Sequence, residues 1–147
     1  MNLDFVSPLQ GMQYGATLLR LLVVDDDPAE FALIEDGFSR CGVMVELQTA
    51  TSAPLALAEL MVSGRDERPH VALIDINMPL VSGFELAAQM ISEGVPTILM
   101  SILINGERAT HASEMGALDL LAKPADAQGY TALAARVLRV LRTDHVP

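Results

Sequence analysis

Lysine occurs once in this sequence, cysteine once and tryptophan not at all, and aromatic residues fill only 4% of its 147 positions. A single cysteine, Cys41, forbids an intramolecular disulfide and fits a reducing compartment. Cationic residues are scarce: nine Lys+Arg against 19 Asp+Glu leave a formal net charge of −10, which argues against direct binding of nucleic acid. A cation site, a basic partner or plain solubility are the better readings of such an acid excess. Long apolar runs are missing too. The longest, 95–104, contains Pro96, Thr97 and Ser101 and falls well short of the ~20 residues of a membrane span. Residues 1–17 hold no lysine or arginine and no apolar stretch, so they do not read as a signal peptide. The expectation is a cytoplasmic protein with no membrane contact.

Hydrophobic residues make up 51% of the chain and charged residues 19%, enough for one domain with a real core and too apolar for a disordered chain. Residues 1–17 read as an N-terminal extension, 18–142 as the domain and 143–147 as a C-terminal tail. Within the domain, strand-like and helix-like segments alternate five times. Strands are expected at 18–24, 43–47, 71–74, 97–100 and 118–122. The first helix should start at Asp27, with Pro28 at the first helical position and Glu30 completing a capping box. Ser52 should cap a second helix that presents Leu57, Leu60 and Met61 on one face. Further helices are expected over 83–91, 105–115 and 127–142, the last with Tyr130, Leu133, Val137 and Leu141 as its apolar stripe. This βα repeat predicts an α/β fold: a five-stranded parallel sheet, doubly wound, with helices on both faces.

Function in such sheets gathers where the strands end at their carboxyl edge. The first strand ends in Asp25, Asp26 and Asp27, the third in Asp75, the fourth in Ser101 and the fifth in Lys123. Any one of these alone reads as a turn residue, a helix cap or a solvated charge, and Asp27 is best explained that way. Together they place several carboxylates, a hydroxyl and the one lysine at a single edge. Two like charges 4 Å apart repel by about 4 kcal/mol at an effective dielectric near 20. A divalent cation or the lysine must offset that, and Mg²⁺, which takes oxygen ligands and keeps several waters, is the natural ion.

With those residues in place, the sequence resembles the receiver domain of two-component response regulators over about 18–142. The motifs are Leu-Leu-Val-Val-Asp-Asp-Asp-Pro at 21–28, Leu-Ile-Asp-Ile-Asn-Met-Pro at 73–79 with Gly83 beyond it, Ile-Leu-Met-Ser at 98–101 and Ala-Lys-Pro at 122–124. The resemblance implies a flavodoxin-like, single-domain, CheY-like receiver that is a signalling phosphoacceptor and not an enzyme. It implies that Asp75 accepts a phosphoryl group from a histidine kinase or histidine phosphotransfer protein. It implies Mg²⁺ held by Asp26, Asp75 and the backbone carbonyl of Asn77, with Asp25 acting through water. Lys123 would pair with the phosphoryl oxygens across a cis Lys123–Pro124 bond. Ser101 would swing to the phosphoryl group and shift the fourth helix and fifth strand toward a downstream target protein.

Two positions depart from the family pattern. Ile102 follows Ser101 where a small residue is usual, and should restrict access to the phosphoryl site. Leu120 stands where an aromatic switch partner is frequent, so a ring-rotation switch cannot operate. Asp119 and Arg136 match positions that, in one subfamily, form salt bridges across a dimer face made by the fourth helix, the fifth strand and the fifth helix. His70, His111 and His145 have no metal-ligand spacing. A haloacid-dehalogenase-type phosphohydrolase could use Asp25 and Asp27 as its Asp-x-Asp pair. It would leave the segment around Asp75 unexplained, and Ala29 stands where that motif has Thr or Val. A receiver-shaped module that binds partners without phosphate is the other alternative.

Overall fold

Apolar runs that cannot face water on either side become strands of a covered parallel sheet. In the computed structural model, which describes residues 18–79 and 82–144, five such strands form one sheet. They are β1 (Leu19–Val24), β2 (Val45–Ala50), β3 (Val71–Asp75), β4 (Thr97–Ser101) and β5 (Asp119–Ala122). Their order is β2-β1-β3-β4-β5, all parallel. The helices between and after them are α1 (Ala29–Arg40), α2 (Ala53–Val62), α3 (Gly83–Ser92), α4 (Gly106–Met115) and α5 (Ala127–Asp144), with a short 3-10 turn at Arg65–Glu67. The expected extension 1–17, His145 and the end of the tail lie outside the described residues.

Because side chains alternate across a strand, each central strand feeds two cores. Leu19, Leu21 and Val23 of β1, Val71 and Leu73 of β3 and Ile98 and Met100 of β4 pack with α1 and α5 on one face. Leu22 and Val24, Ala72 and Ile74, and Leu99 pack with α2, α3 and α4 on the other. The same alternation continues one residue past the strands and decides which face each functional side chain leans toward.

Helices α1 and α5 approach closely at Gly37, where a Cβ would sit 2.8 Å from the backbone carbonyl carbon of Tyr130. Only hydrogen fits there, and the close approach brings the C-terminal part of α1 against the first turn of α5. Helix α4 begins on its Asn105 cap, whose Oδ1 accepts from Arg108 N at 2.8 Å, and ends at Gly116 with φ of 96°.

Three local expectations are corrected. Strand β2 runs Val45–Ala50, two residues later at its start and three at its end than expected. It is an edge strand, so Glu46 and Thr49 face solvent and its polar half does not look like strand. Helix α2 buries Ala53, Ala56 and Leu60, while Met61 is 79% exposed and does not share that face. At α1, Pro28 precedes the helix and Asp27 Oδ1 accepts from Ala29 N at 3.0 Å. Glu30 makes no capping box; its carboxylate faces Tyr130 and Lys123 instead.

Candidate phosphoryl-acceptor site

Strand register builds the site. Val24 is level with Ile74, so Asp25 comes level with Asp75 across the β1–β3 pair. Asp75 is level with Met100, and Ser101 with Ala122, so Ser101 and Lys123 follow at the same edge. Asp25 and Asp75 continue the pleat of Val23 and Leu73, and Lys123 that of Leu121; all three belong to the α1/α5 face. Ser101 continues the pleat of Leu99 and belongs to the α4 face.

Both central carboxylates are buried: Asp25 is 0% and Asp75 2% exposed. Lys123 Nζ lies 2.8 Å from Asp25 Oδ2 and 3.2 Å from Asp75 Oδ2. Backbone N–H groups hold the other oxygens: Asp27 N donates to Asp25 Oδ1 at 2.9 Å, and Asn77 N to Asp75 Oδ1 at 2.8 Å. Asp26 stands exposed beside them. One carboxylate oxygen from each of Asp25, Asp26 and Asp75 fits within a 4.8 Å span. Asp25 Oδ2 is buried, and the Lys123 ammonium at 2.8 Å is its one partner. An all-oxygen cluster with one such under-coordinated buried oxygen fits a hard divalent cation.

Burial pushes the Asp25 carboxyl up, opposed by Lys123 and the Asp27 N–H and reinforced by the nearby charge of Asp75. Burial alone would lower the ammonium of Lys123, but its pairing with Asp25 and then Asp75 outweighs this and holds it above the usual lysine range. Lys123 therefore stays charged.

The structure adds three members that the sequence did not assign. Glu30 Oε1 lies 3.6 Å from Lys123 Nζ, and Tyr130 OH donates to Glu30 Oε2 at 2.6 Å. Burial, then the hydrogen bond and charge of Glu30, push the Tyr130 phenol up, so it remains a donor. The chain Tyr130–Glu30–Lys123 ties α5 and α1 to the lysine. On the other face, Arg108 Nη1 donates to Ser101 Oγ at 2.7 Å and to Leu103 O at 2.9 Å. Asn77 Oδ1 accepts from Ile102 N at 3.0 Å and from Ser101 Oγ at 3.3 Å, joining the β3 and β4 loops.

The remaining predicted residues are placed as follows. Ile102 is 75% exposed and its side chain stands out in solvent. Leu120 is half-buried against the core on the α2–α3–α4 face. Arg136 Nε pairs with Asp119 Oδ2 at 2.9 Å within the chain. Every peptide bond among the described residues is trans, so the expected cis Lys123–Pro124 bond is corrected. Trans is the lower-energy form of an X–Pro bond by about 0.5–1 kcal/mol, and Lys123 reaches both carboxylates without leaving it. Asp27 spends its side chain on the Ala29 N–H and is not in the acidic cluster, which removes the Asp-x-Asp pair a dehalogenase-type site would need.

A profile of the response regulator receiver domain matches residues 21–135. The chain belongs to this family. Among curated relatives, the transcriptional regulatory protein PrrA of Mycobacterium tuberculosis is 34% identical over 115 residues, covering 77% of this chain and 47% of that protein. Protein-glutamate methylesterase/protein-glutamine glutaminase 3 of Burkholderia thailandensis is 32% identical over 132 residues, covering 86% of this chain and 36% of that protein. The chain thus spans less than half the length of these relatives. Chemotaxis response regulator CheY4 of Vibrio cholerae is 27% identical with a TM-score of 0.64, covering 82% of this chain and 99% of that one. The BeF3-activated receiver domain of DrrB, a Thermotoga maritima protein, is 26% identical with a TM-score of 0.66, covering 85% of this chain and 98% of that one. The receiver is a signalling module, and its fold is the five-stranded parallel one expected from the sequence. No helix among the described residues is long and apolar enough to cross a membrane.

A glycine sets how closely α3 approaches the end of β3. A Cβ on Gly83 would collide with the Asp75 carbonyl oxygen and lie 2.6 Å from Ile76 Cα. Both neighbours are backbone and cannot rotate away. Gly83→Ala is expected to lower stability by about 2 kcal/mol, through the displacement of α3 from the end of β3. Urea unfolding measures this; an unchanged midpoint would show that α3 can move at no cost.

Proposed function

We propose that this receiver accepts a phosphoryl group on Asp75 from the phosphohistidine of a histidine kinase or histidine phosphotransfer protein. The observation that carries the reading is the buried Asp75 carboxylate, 3.2 Å from a charged lysine and clustered with two further carboxylates. One Asp75 oxygen attacks phosphorus, the P–N bond to the donor imidazole breaks, and the imidazole leaves with its electron pair and takes up a proton. Little covalent machinery is needed; positioning and charge neutralisation do most of the work. Lys123 supplies one positive charge at the phosphoryl oxygens. Asp26, Asp75 and the Asn77 backbone carbonyl are the residues that would hold Mg²⁺, with Asp25 through water. Bound there, the ion neutralises phosphoryl charge that a single lysine cannot.

Output in this reading is a shift of α4 and β5, recognised by a downstream target protein in the cytoplasm. With Leu120 in place of a ring, Ser101 is the switch element. Asp119 and Arg136 give the α4–β5–α5 face a route to a homodimer, by exchanging an ion pair within one chain for one between two. Asp26→Asn tests the metal part. It is expected to weaken Mg²⁺ binding at least tenfold while leaving stability without metal unchanged or higher, because one repelling charge is gone. Unaltered Mg²⁺ affinity in a calorimetric titration would contradict the ligand assignment.

A further inference from the structure

The hydroxyl of Ser101 has no bonding capacity left in this structure. It is fully buried, and its proton is directed at Leu103 O, 2.7 Å away, with Asn77 Oδ1 at 3.3 Å. Its lone pairs accept from Leu103 N at 3.2 Å and from Arg108 Nη1 at 2.7 Å. A serine hydroxyl has one proton and two lone pairs, so all three are used. The oxygen is held on the α4 side of the sheet edge, while Asp75 and Lys123 belong to the α1/α5 face. Arg108 supplies the one bond here with a formal charge, and its Nη1 also holds the Leu103 carbonyl that takes the serine proton.

We infer that Arg108 is a positioning residue for Ser101: it latches the hydroxyl, and with it the first turn of α4, in the arrangement that does not engage Asp75. The inference rests on the phosphoacceptor reading above. A hydroxyl that is to donate to a phosphoryl oxygen must give up Leu103 O as its acceptor. The guanidinium stabilises the oxygen where it is, so it opposes that move. Breaking the contact releases both the serine and the α4 turn that carries Arg108, which couples the phosphoryl site to α4 without any aromatic ring. The helix itself does not depend on the side chain, since the Asn105 cap is made to the Arg108 backbone N–H.

The test is binding of beryllium fluoride, a phosphoryl mimic, to the full chain in saturating Mg²⁺. Apparent affinity is reduced by the fraction of protein held in the non-competent state. Arg108→Ala is expected to tighten binding about tenfold, the size of one partly exposed charge-assisted hydrogen bond. Ser101→Ala alone should weaken binding, and Arg108→Ala added to it should change nothing further. Unchanged or weaker binding in Arg108→Ala overturns the latch. A tenfold gain that persists in the Ser101→Ala background also overturns it, because Arg108 then acts through the Leu103 carbonyl alone. Absence of any beryllium fluoride binding by the unaltered chain would instead sink the phosphoacceptor reading on which the latch rests.

Discussion

Lys123→Ala should lose about 3 kcal/mol of stability at neutral pH without metal and slow phosphorylation roughly 100-fold. Lys123 is the counterion of two carboxylates that are almost wholly buried, at 2.8 and 3.2 Å, and it also faces Glu30. Removing it leaves Asp25 Oδ2 with no partner at all and sets Asp25 and Asp75 against each other. The cost is therefore that of an uncompensated buried charge, larger than the net contribution of the intact pair. Its pH dependence follows from Asp25. Burial already raises that carboxyl above its ordinary 3.8, and loss of the lysine raises it further. A carboxyl whose folded value is raised binds a proton more readily when folded. The deficit is thus absent below about pH 4 and grows as pH rises through the raised value. Mg²⁺ should restore part of it by replacing the lost positive charge. Urea unfolding across pH, with and without Mg²⁺, reads the three stability effects, and the rate of labelling by acetyl phosphate reads the loss of phosphorylation; a variant as stable as the parent at neutral pH without metal would show that the lysine does not neutralise this pocket.

Much of this arrangement was legible in the sequence because parallel strands bring their ends to one edge. Asp25, Asp26, Asp75, Ser101 and Lys123 lie in four separate segments, yet alternation of strands and helices suffices to gather them. What was hidden is what depends on distant packing. Glu30 sits where a capping box would have it, and nothing local says that a tyrosine 100 residues away donates to it. Gly37 and the α1–α5 approach decide that, and a helical stripe read one helix at a time does not reveal which helix it meets. Arg108 is one of several polar residues on α4; its aim at Ser101 follows from the turn at 102–105, whose path has no sequence signature. The edge position of β2 explains its misplaced ends, since a half-solvated strand mixes polar with apolar residues and loses the signal of the buried ones. The Asp119–Arg136 pair joins β5 to α5 within one chain, a partner choice that the identity of the two residues leaves open.

The most direct measurement is the intact mass of the protein after incubation with Mg²⁺ and acetyl phosphate, for the parent chain and for Asp75→Asn. Asp75 has the buried carboxylate, the lysine and two neighbouring carboxylates, and the amide that replaces it keeps the shape but cannot act as the nucleophile. The parent should gain one phosphoryl group, lose it again on standing, and gain none when the metal is chelated. Asp75→Asn should gain none under any of these conditions while remaining folded. A phosphoryl group acquired by Asp75→Asn to the parent's level, or a parent chain that stays unmodified in the presence of Mg²⁺, would contradict the assignment of Asp75 as the phosphoryl acceptor.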